Sequence, residues 1–155
     1  MSDAGSDQIR PACPDEADTL QQIVQAAYTH YIERMGKPSG PMLDDYAKRV
    51  ADGQAWVLEI DGTIAGLIVL EDDPQGALML DNIAVAPSAQ GKGIGRRLLA
   101  LTEAEARRRG YQQVRLYTHV TMVENIALYT RIGFRETGRV SEKGFDRVYM
   151  TKSLD

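Results

Sequence analysis

The sequence predicts an α/β fold: one domain, a central sheet of about seven strands and about four helices. Three observations predict it. Apolar runs of strand length are interleaved with segments whose apolar residues recur at spacings of three and four. The dipeptide Asp61-Gly62 separates two apolar runs, the signature of a two-residue hairpin. Finally, Ile83-Ala84-Val85-Ala86-Pro87 leads through Gln90-Gly91-Lys92-Gly93-Ile94-Gly95-Arg96 into the helix-like run Arg97-Leu98-Leu99-Ala100-Leu101.

Taken in order, residues 1–8 are small and polar and read as a flexible tail, with the domain occupying 9–155. Residues 9–12 read as a short strand. Pro14, Asp15 and Glu16 place a proline and two acids in the first turn of a helix. Leu20, Ile23, Val24, Ala27 and Tyr31 give that helix one apolar face. Residues 34–41 are a glycine- and proline-rich loop, and 42–50 a second helix. Strands at 55–60 and 63–70 flank Asp61-Gly62, and 76–85 is a third long strand. The helix after the glycine run ends at Gly110, a C-cap. Residues 113–118 form a strand, and Thr121-x-x-Glu124 has the spacing of a capping box at the start of a helix that ends at Gly133. Two closing strands, 134–140 and 146–153, lie around Lys143-Gly144.

Composition narrows the function classes. The chain has 155 residues, 43% hydrophobic and 26% charged, which suits one self-standing globular core. Its net charge of −4 argues against a nucleic-acid partner, which wants a basic face. The run Arg107-Arg108-Arg109 precedes Gly110 and complements the negative end of a helix. Cys13 is the one cysteine, so an intrachain disulfide is excluded. The sequence offers neither a membrane-length apolar run nor a signal-peptide core, so the expectation is a cytoplasmic protein without a membrane partner. Two separated histidines and one cysteine are a poor basis for a metal site, and none is expected.

The glycine run is the candidate ligand site. The first amides of a helix have no intrahelical partner, the helix dipole adds positive charge there, and glycine lets a bulky anion approach. A pyrophosphate fits such a site. The dinucleotide fingerprint Gly-x-Gly-x-x-Gly is broken in both frames, at Arg96 and at Leu98, and the nucleotide-triphosphate loop is absent. What stands is Gln90-x-x-Gly93-x-Gly95. An unliganded strand-to-helix turn would share this spelling.

The motif Gln90-x-x-Gly93-x-Gly95 resembles the coenzyme A loop of the GCN5-related N-acetyltransferase (GNAT) superfamily. A second patch, Asn125-Ile126-Ala127-Leu128-Tyr129-Thr130-Arg131-Ile132-Gly133-Phe134, is similar to that family's Leu-Tyr-x-x-x-Gly-Phe helix. The closing run Arg147-Val148-Tyr149-Met150-Thr151-Lys152 resembles its last strand. The element order agrees over nearly the whole chain. The resemblance implies a mixed sheet that splays at a coenzyme A site, where residues 81–85 part from 113–118. It implies acetyl-CoA as cosubstrate, held by backbone groups of Ile83 and Val85 along the pantetheine arm and by amides of Gly91, Lys92, Gly93, Ile94, Gly95 and Arg96 on the pyrophosphate. Gln90 would fix the loop's entry, and Lys92 and Arg96 would add charge or stay solvated. A backbone N–H at Ile83 or Ala84 would hold the oxyanion.

The implied reaction is acetyl transfer to a primary amine of a small molecule or protein, directly, in a ternary complex. An amine with a pKa near 10.4 needs about 4–5 kcal/mol to reach its neutral form at pH 7, so a base or a pocket that lowers its pKa is required. Tyr129 is the expected acid for the leaving thiolate. Relatives often carry an Asn seven residues before that tyrosine, where this chain has Met122, so Asn125 is the candidate for the coenzyme contact. Relatives also carry a Glu where this chain has Tyr117. Asp81, which shares strand parity with Ile83 and Val85, is the substitute base, with His119 as rival. Residues 35–42 and the first two helices should line the acceptor pocket, with Tyr31, Met35, Met42, Tyr117 and His119 as candidate contacts. A non-catalytic acetyl-CoA sensor is the competing reading. Homodimers are common among relatives, and the sequence is silent on this.

Overall fold

A computed structural model of the chain describes residues 7–154. Of the expected tail, residues 1–6 lie outside the described residues, and Gln8 already opens a strand. The strands are β1 (Gln8–Pro11), β2 (Ala55–Ile60), β3 (Thr63–Asp73), β4 (Ala77–Val85), β5 (Gln113–His119), β6 (Arg135–Glu142) and β7 (Phe145–Ser153). The helices are α1 (Ala17–Tyr28), the single turn α2 (Ile32–Met35), α3 (Tyr46–Ala51), α4 (Ile94–Arg108) and α5 (Val123–Arg131). The strands form one sheet in the order β1-β2-β3-β4-β5-β7-β6. β1–β2, β2–β3, β5–β7 and β6–β7 are antiparallel, and β4–β5 is parallel, so the sheet is mixed as the resemblance implies. The parallel ladder pairs Leu78–Leu80 with Val114–Leu116, a third of the nine-residue β4.

The chain divides into two compact units, one holding residues up to 70 with 82–101, the other 71–81 with 102 onward. The first unit is organised by α1, whose buried Leu20, Ile23 and Val24 meet Met42, Tyr46, Val50, Ala55, Val57, Leu67, Val69 and Ala84 in a single cluster. Alternation along β2 and β3 sends one set of side chains into that cluster. Asp61 (φ +52°) and Gly62 (φ +80°) make the expected tight hairpin turn. The expected helix over 42–50 is shorter. Pro41–Leu43 is one 3-10 turn, Asp44 is extended, and Asp45 accepts from Lys48 N–H at 3.1 Å, capping a helix that starts at Tyr46. Consecutive aspartates stop the first turn because their side chains bind backbone amides better outside a helix than within it.

Gly66 fixes how β3 and α4 approach each other. A Cβ there would stand 3.0 Å from the Ala84 carbonyl oxygen, Ile94 Cγ2 and Leu98 Cδ1. At the start of α1, Glu16 accepts from both Nη atoms of Arg10 (2.9 and 2.8 Å) and from Cys13 N–H at 2.8 Å, and Arg10 also reaches Glu59 at 2.6 Å. The Arg10 hydrogen bonds hold the Glu16 carboxyl down at about 2 against an ordinary 4.5. A depressed carboxyl stabilises the fold above its unfolded pKa, and that contribution disappears as pH falls through the folded value. Glu16→Gln should therefore cost roughly 1–3 kcal/mol at pH 7 and only a small part of that near pH 2, where about half of the Glu16 carboxyls are protonated. Melting curves at both pH values check this, and an equal penalty at each would refute the assignment.

In the second unit, β5 pairs along its full length with β7, from Gln113–Ser153 to His119–Arg147. The β6–β7 hairpin turns through Lys143 (φ +52°) and Gly144 (φ +80°), and the β6 register skips Thr137 between Glu136 and Gly138. Glu105, 5% exposed, accepts from Arg108 and Arg109, which hold its carboxyl at about 2 and fasten the end of α4. The expected capping box at Thr121 does not form. Met122 is the N-cap of α5, and the Thr121 hydroxyl lies 2.8 Å from His119 Nδ1. No helix among the described residues is long and apolar enough to cross a membrane.

Candidate active site

The strand–loop–helix of the first unit holds the candidate anion site. β4 ends at Val85, a 3-10 turn over Pro87–Ala89 follows, and Gln90 N–H closes that turn on the Pro87 carbonyl at 3.4 Å. Gly91 (φ +81°) and Gly93 (φ +74°) then adopt left-handed conformations that L residues rarely take. At the start of α4, Arg97 N–H donates to the Gly93 carbonyl at 3.2 Å. The amides of Ile94, Gly95 and Arg96 precede it and have no intrahelical acceptor. Ile94 is 2% exposed and anchors the turn, while Gln90, Lys92 and Arg96 stand exposed around it. At Gly95 a Cβ would sit 4.0 Å from Val85 Cγ2, an ordinary contact, so the protein itself does not require glycine there.

Along β4, Asp81, Ile83 and Val85 are half-buried and alternate with buried Leu80, Asn82 and Ala84, which places the three candidates on one side as parity predicts. Asn82 was not singled out by its sequence context. Its Oδ1 accepts from the Tyr28 hydroxyl at 2.9 Å and its Nδ2 donates to the Tyr46 hydroxyl at 3.0 Å. Of the acceptor-wall candidates, Tyr31 and Met35 are half-buried; Arg34 lies over the Tyr31 ring at 5.3 Å. Met42 is 6% exposed inside the hydrophobic cluster, and its carbonyl is taken up by Gln21 and Gln25 at 3.3 and 2.9 Å.

In the second unit, the Tyr117 hydroxyl donates to Asp81 Oδ1 at 3.1 Å. Burial, reinforced by the negative charge of Asp81, raises the Tyr117 phenol well above its ordinary range, so it stays protonated and acts as a donor. The Arg147 guanidinium, 8% exposed, covers the Tyr117 ring at 4.3 Å and donates to Glu142 at 2.8 Å. Glu142 also accepts from the Tyr149 hydroxyl, and these two bonds lower its carboxyl. Arg147 too escaped the sequence reading. The signal was the β7 register: Tyr149 faces Tyr117, and two residues earlier on the same face stands Arg147.

His119 Nδ1 receives the Thr121 N–H at 3.2 Å. Thr121 thus holds the ring's orientation through its main chain and its hydroxyl together. Tyr129 on α5 is 7% exposed, edge-on to Phe134 at 5.8 Å. Asn125, one turn earlier on the same helix, donates to Met122 Sδ at 3.6 Å, and Thr118 donates to the same sulfur at 3.4 Å. Among the described residues no group of three or more His, Cys, Asp and Glu is placed to hold a metal.

Residues 17–134 match the Acetyltransferase (GNAT) family. The chain belongs to the GNAT family. It is 30% identical over 140 residues to an IAA acetyltransferase of Azospirillum brasilense, covering 88% of this chain and 92% of that one. It is 34% identical over 110 residues to a probable N-acetyltransferase family 8 member 5 of Mus musculus, covering 67% of this chain and spanning about half (48%) of that relative. The fold matches the PaiA N-acetyltransferase of Thermoplasma acidophilum, solved in complex with coenzyme A, with a TM-score of 0.78 at 21% identity, over 96% of this chain and 99% of that one. The acyltransferase class, with acetyl-CoA as donor, comes with membership of the GNAT family.

Proposed function

We propose that this GNAT chain transfers the acetyl group of acetyl-CoA directly to a primary amine of a small molecule or protein, in a ternary complex. The observation that carries the reading is the loop at α4, where two left-handed glycines turn the first helical amides outward. In this reading those amides hold the pyrophosphate, with Lys92 and Arg96 adding charge. The main chain at Ile83 and Val85 pairs with the pantetheine amides as an added strand would, and an N–H at Ile83 or Ala84 meets the oxyanion. The short β4–β5 ladder supports this use of β4, since it ends at Leu80.

Asp81 is the proposed base. An aspartate with an ordinary pKa near 3.9 is a poor direct base, so a water relays the amine proton to it, while the hydrogen bond from Tyr117 orients the carboxylate. Tyr129 gives a proton or a hydrogen bond to the departing thiolate. A thiol near 8.5 and a phenol near 10 make full transfer uphill by about 2 kcal/mol, an acceptable step. Asn125 contacts the coenzyme once its bond to Met122 is exchanged. Tyr31, Met35 and the loop after α2 wall the acceptor. A direct route suits a chain whose one thiol, Cys13, belongs to the turn that binds Glu16. A cytoplasmic setting is part of the same proposal, since one cysteine per chain rules out an internal disulfide.

Thermal melts with acetyl-CoA, desulfo-CoA, ATP and NAD in parallel test the binding half. At a hundredfold its dissociation constant, a coenzyme should add about 2.7 kcal/mol, roughly 5–11 °C for a domain of this size. A shift with the coenzyme A pair alone is expected; no shift with that pair would leave the loop a structural turn and end the reading. Tight binding without transfer to any of a panel of amines would favour an acetyl-CoA sensor.

A further inference from the structure

Asn82 has no part in the chemistry above, yet its side chain is 4% exposed and bonded at both ends. The Tyr46 hydroxyl donates to the Pro41 carbonyl at 2.5 Å. A hydroxyl has one proton, and a carbonyl only accepts, so Tyr46 must accept from Asn82 and the carboxamide nitrogen must face it. At the other end, the Tyr28 hydroxyl lies 2.9 Å from Asn82 Oδ1 and 3.0 Å from the Ile83 carbonyl. The single Tyr28 proton is shared between these two acceptors, while an unbroken path, Asn82 Nδ2 to the Tyr46 hydroxyl to the Pro41 carbonyl, joins β4 at Asn82 to the main chain of the loop. The loop needs such a hold. It leaves α2 through Gly36 at φ +76°, and it carries Ser39, 2% exposed, whose hydroxyl has no hydrogen-bond partner. A buried unpaired hydroxyl disfavours the position the loop occupies, and the contacts around it must offset that cost.

We infer that Asn82 is a positioning residue: through Tyr46 it sets residues 36–44 at a fixed distance from β4, and so fixes where the acceptor amine is held along that strand. The inference rests on the reading that this loop walls the acceptor site. It separates two effects that a merely structural asparagine would not separate. Loosening the loop should weaken capture of the amine while leaving the coenzyme loop at Gly91 and Gly93 as it is.

Tyr46→Phe keeps the ring and removes both bonds, and Asn82→Ser is a second, independent variant. Hydrogen–deuterium exchange of the Met42 and Leu43 amides, which bond to Ser39 and Gly40 carbonyls at 3.1 and 3.0 Å, reports loop opening without any turnover. Exchange there should rise about tenfold in both variants. The melting shift given by acetyl-CoA should be unchanged. With whichever of spermidine, free methionine and a lysine-containing peptide the wild type acetylates fastest, KM for the amine should rise about tenfold with kcat within about twofold. Unchanged exchange in both variants would overturn the latch itself. Faster exchange with an unchanged amine KM would instead overturn the acceptor-wall reading, and with it the role assigned to Asn82.

Discussion

Replacing Tyr129 by phenylalanine should lower kcat about a hundredfold or more and leave the dissociation constant for acetyl-CoA within about twofold. The ring is what packs: it stands edge-on to Phe134 and is 7% exposed, so the variant keeps its fold and its contact with α5's neighbour. Only the hydroxyl is lost, and with it the proton or hydrogen bond proposed for the leaving thiolate. Since the thiolate carries charge only as the C–S bond breaks, the loss falls on kcat and spares ground-state binding. Steady-state kinetics, together with a direct acetyl-CoA titration, separate the two. Unchanged turnover would remove Tyr129 from the mechanism and leave it a core residue. Asp81→Asn serves as the companion. It should lower the rate below the amine's pKa and lose less at high pH, where the amine is already neutral.

Gly66→Ala should destabilise the protein by about 1–3 kcal/mol and lower its melting temperature by roughly 2–12 °C. The added carbon would meet a backbone oxygen and two α4 side chains, all at 3.0 Å. Ile94 and Leu98 meet the added carbon with side-chain methyls at the start of α4, which takes up part of the strain, while the Ala84 oxygen is main chain and cannot turn aside. Displacing the start of α4 moves the amides proposed to hold the pyrophosphate, so coenzyme affinity should fall along with stability. A calorimetric melt and an acetyl-CoA titration measure the two effects. A variant that melts within about 1 °C of wild type would mean that the strand and helix have slack at this point.

The parts of the fold set by local chemistry were legible in the chain. Asp61-Gly62 and Lys143-Gly144 turn where the dipeptides demand positive φ, and the period of α1 delivers Leu20, Ile23 and Val24 to the core. Gly91 and Gly93 also take the conformations that glycine alone adopts freely. Expectations missed where two local motifs compete for one segment. Asp45 claims the N-cap that would have let a helix start at Met42, and His119 draws the Thr121 hydroxyl that a capping box needs. The polar contacts were the least legible. Arg147 reaches Tyr117 because of the β5–β7 register, and Asn82 reaches Tyr46 across 36 residues of chain. Neither pairing has a local signal, because each depends on which strand or helix lands beside the residue. Tyr117 and Asp81 illustrate the same point from the other side: parity put Asp81 on the same side of β4 as Ile83 and Val85, but only the tertiary fold makes the phenol its partner.

At the outer edge of the sheet, β6 presents mostly exposed residues, and its ladder with β7 is broken by the extra residue between Glu136 and Gly138. A bare edge is a template on which a foreign strand could be laid, and a long flat one invites runaway self-association. The bulge bends this edge, and Arg135, Glu136, Arg139 and Glu142 load it with charges that a docking strand would have to match or desolvate. The bulge and the charges together guard this edge against strand addition, and a change that straightens β6 should raise self-association before it touches catalysis.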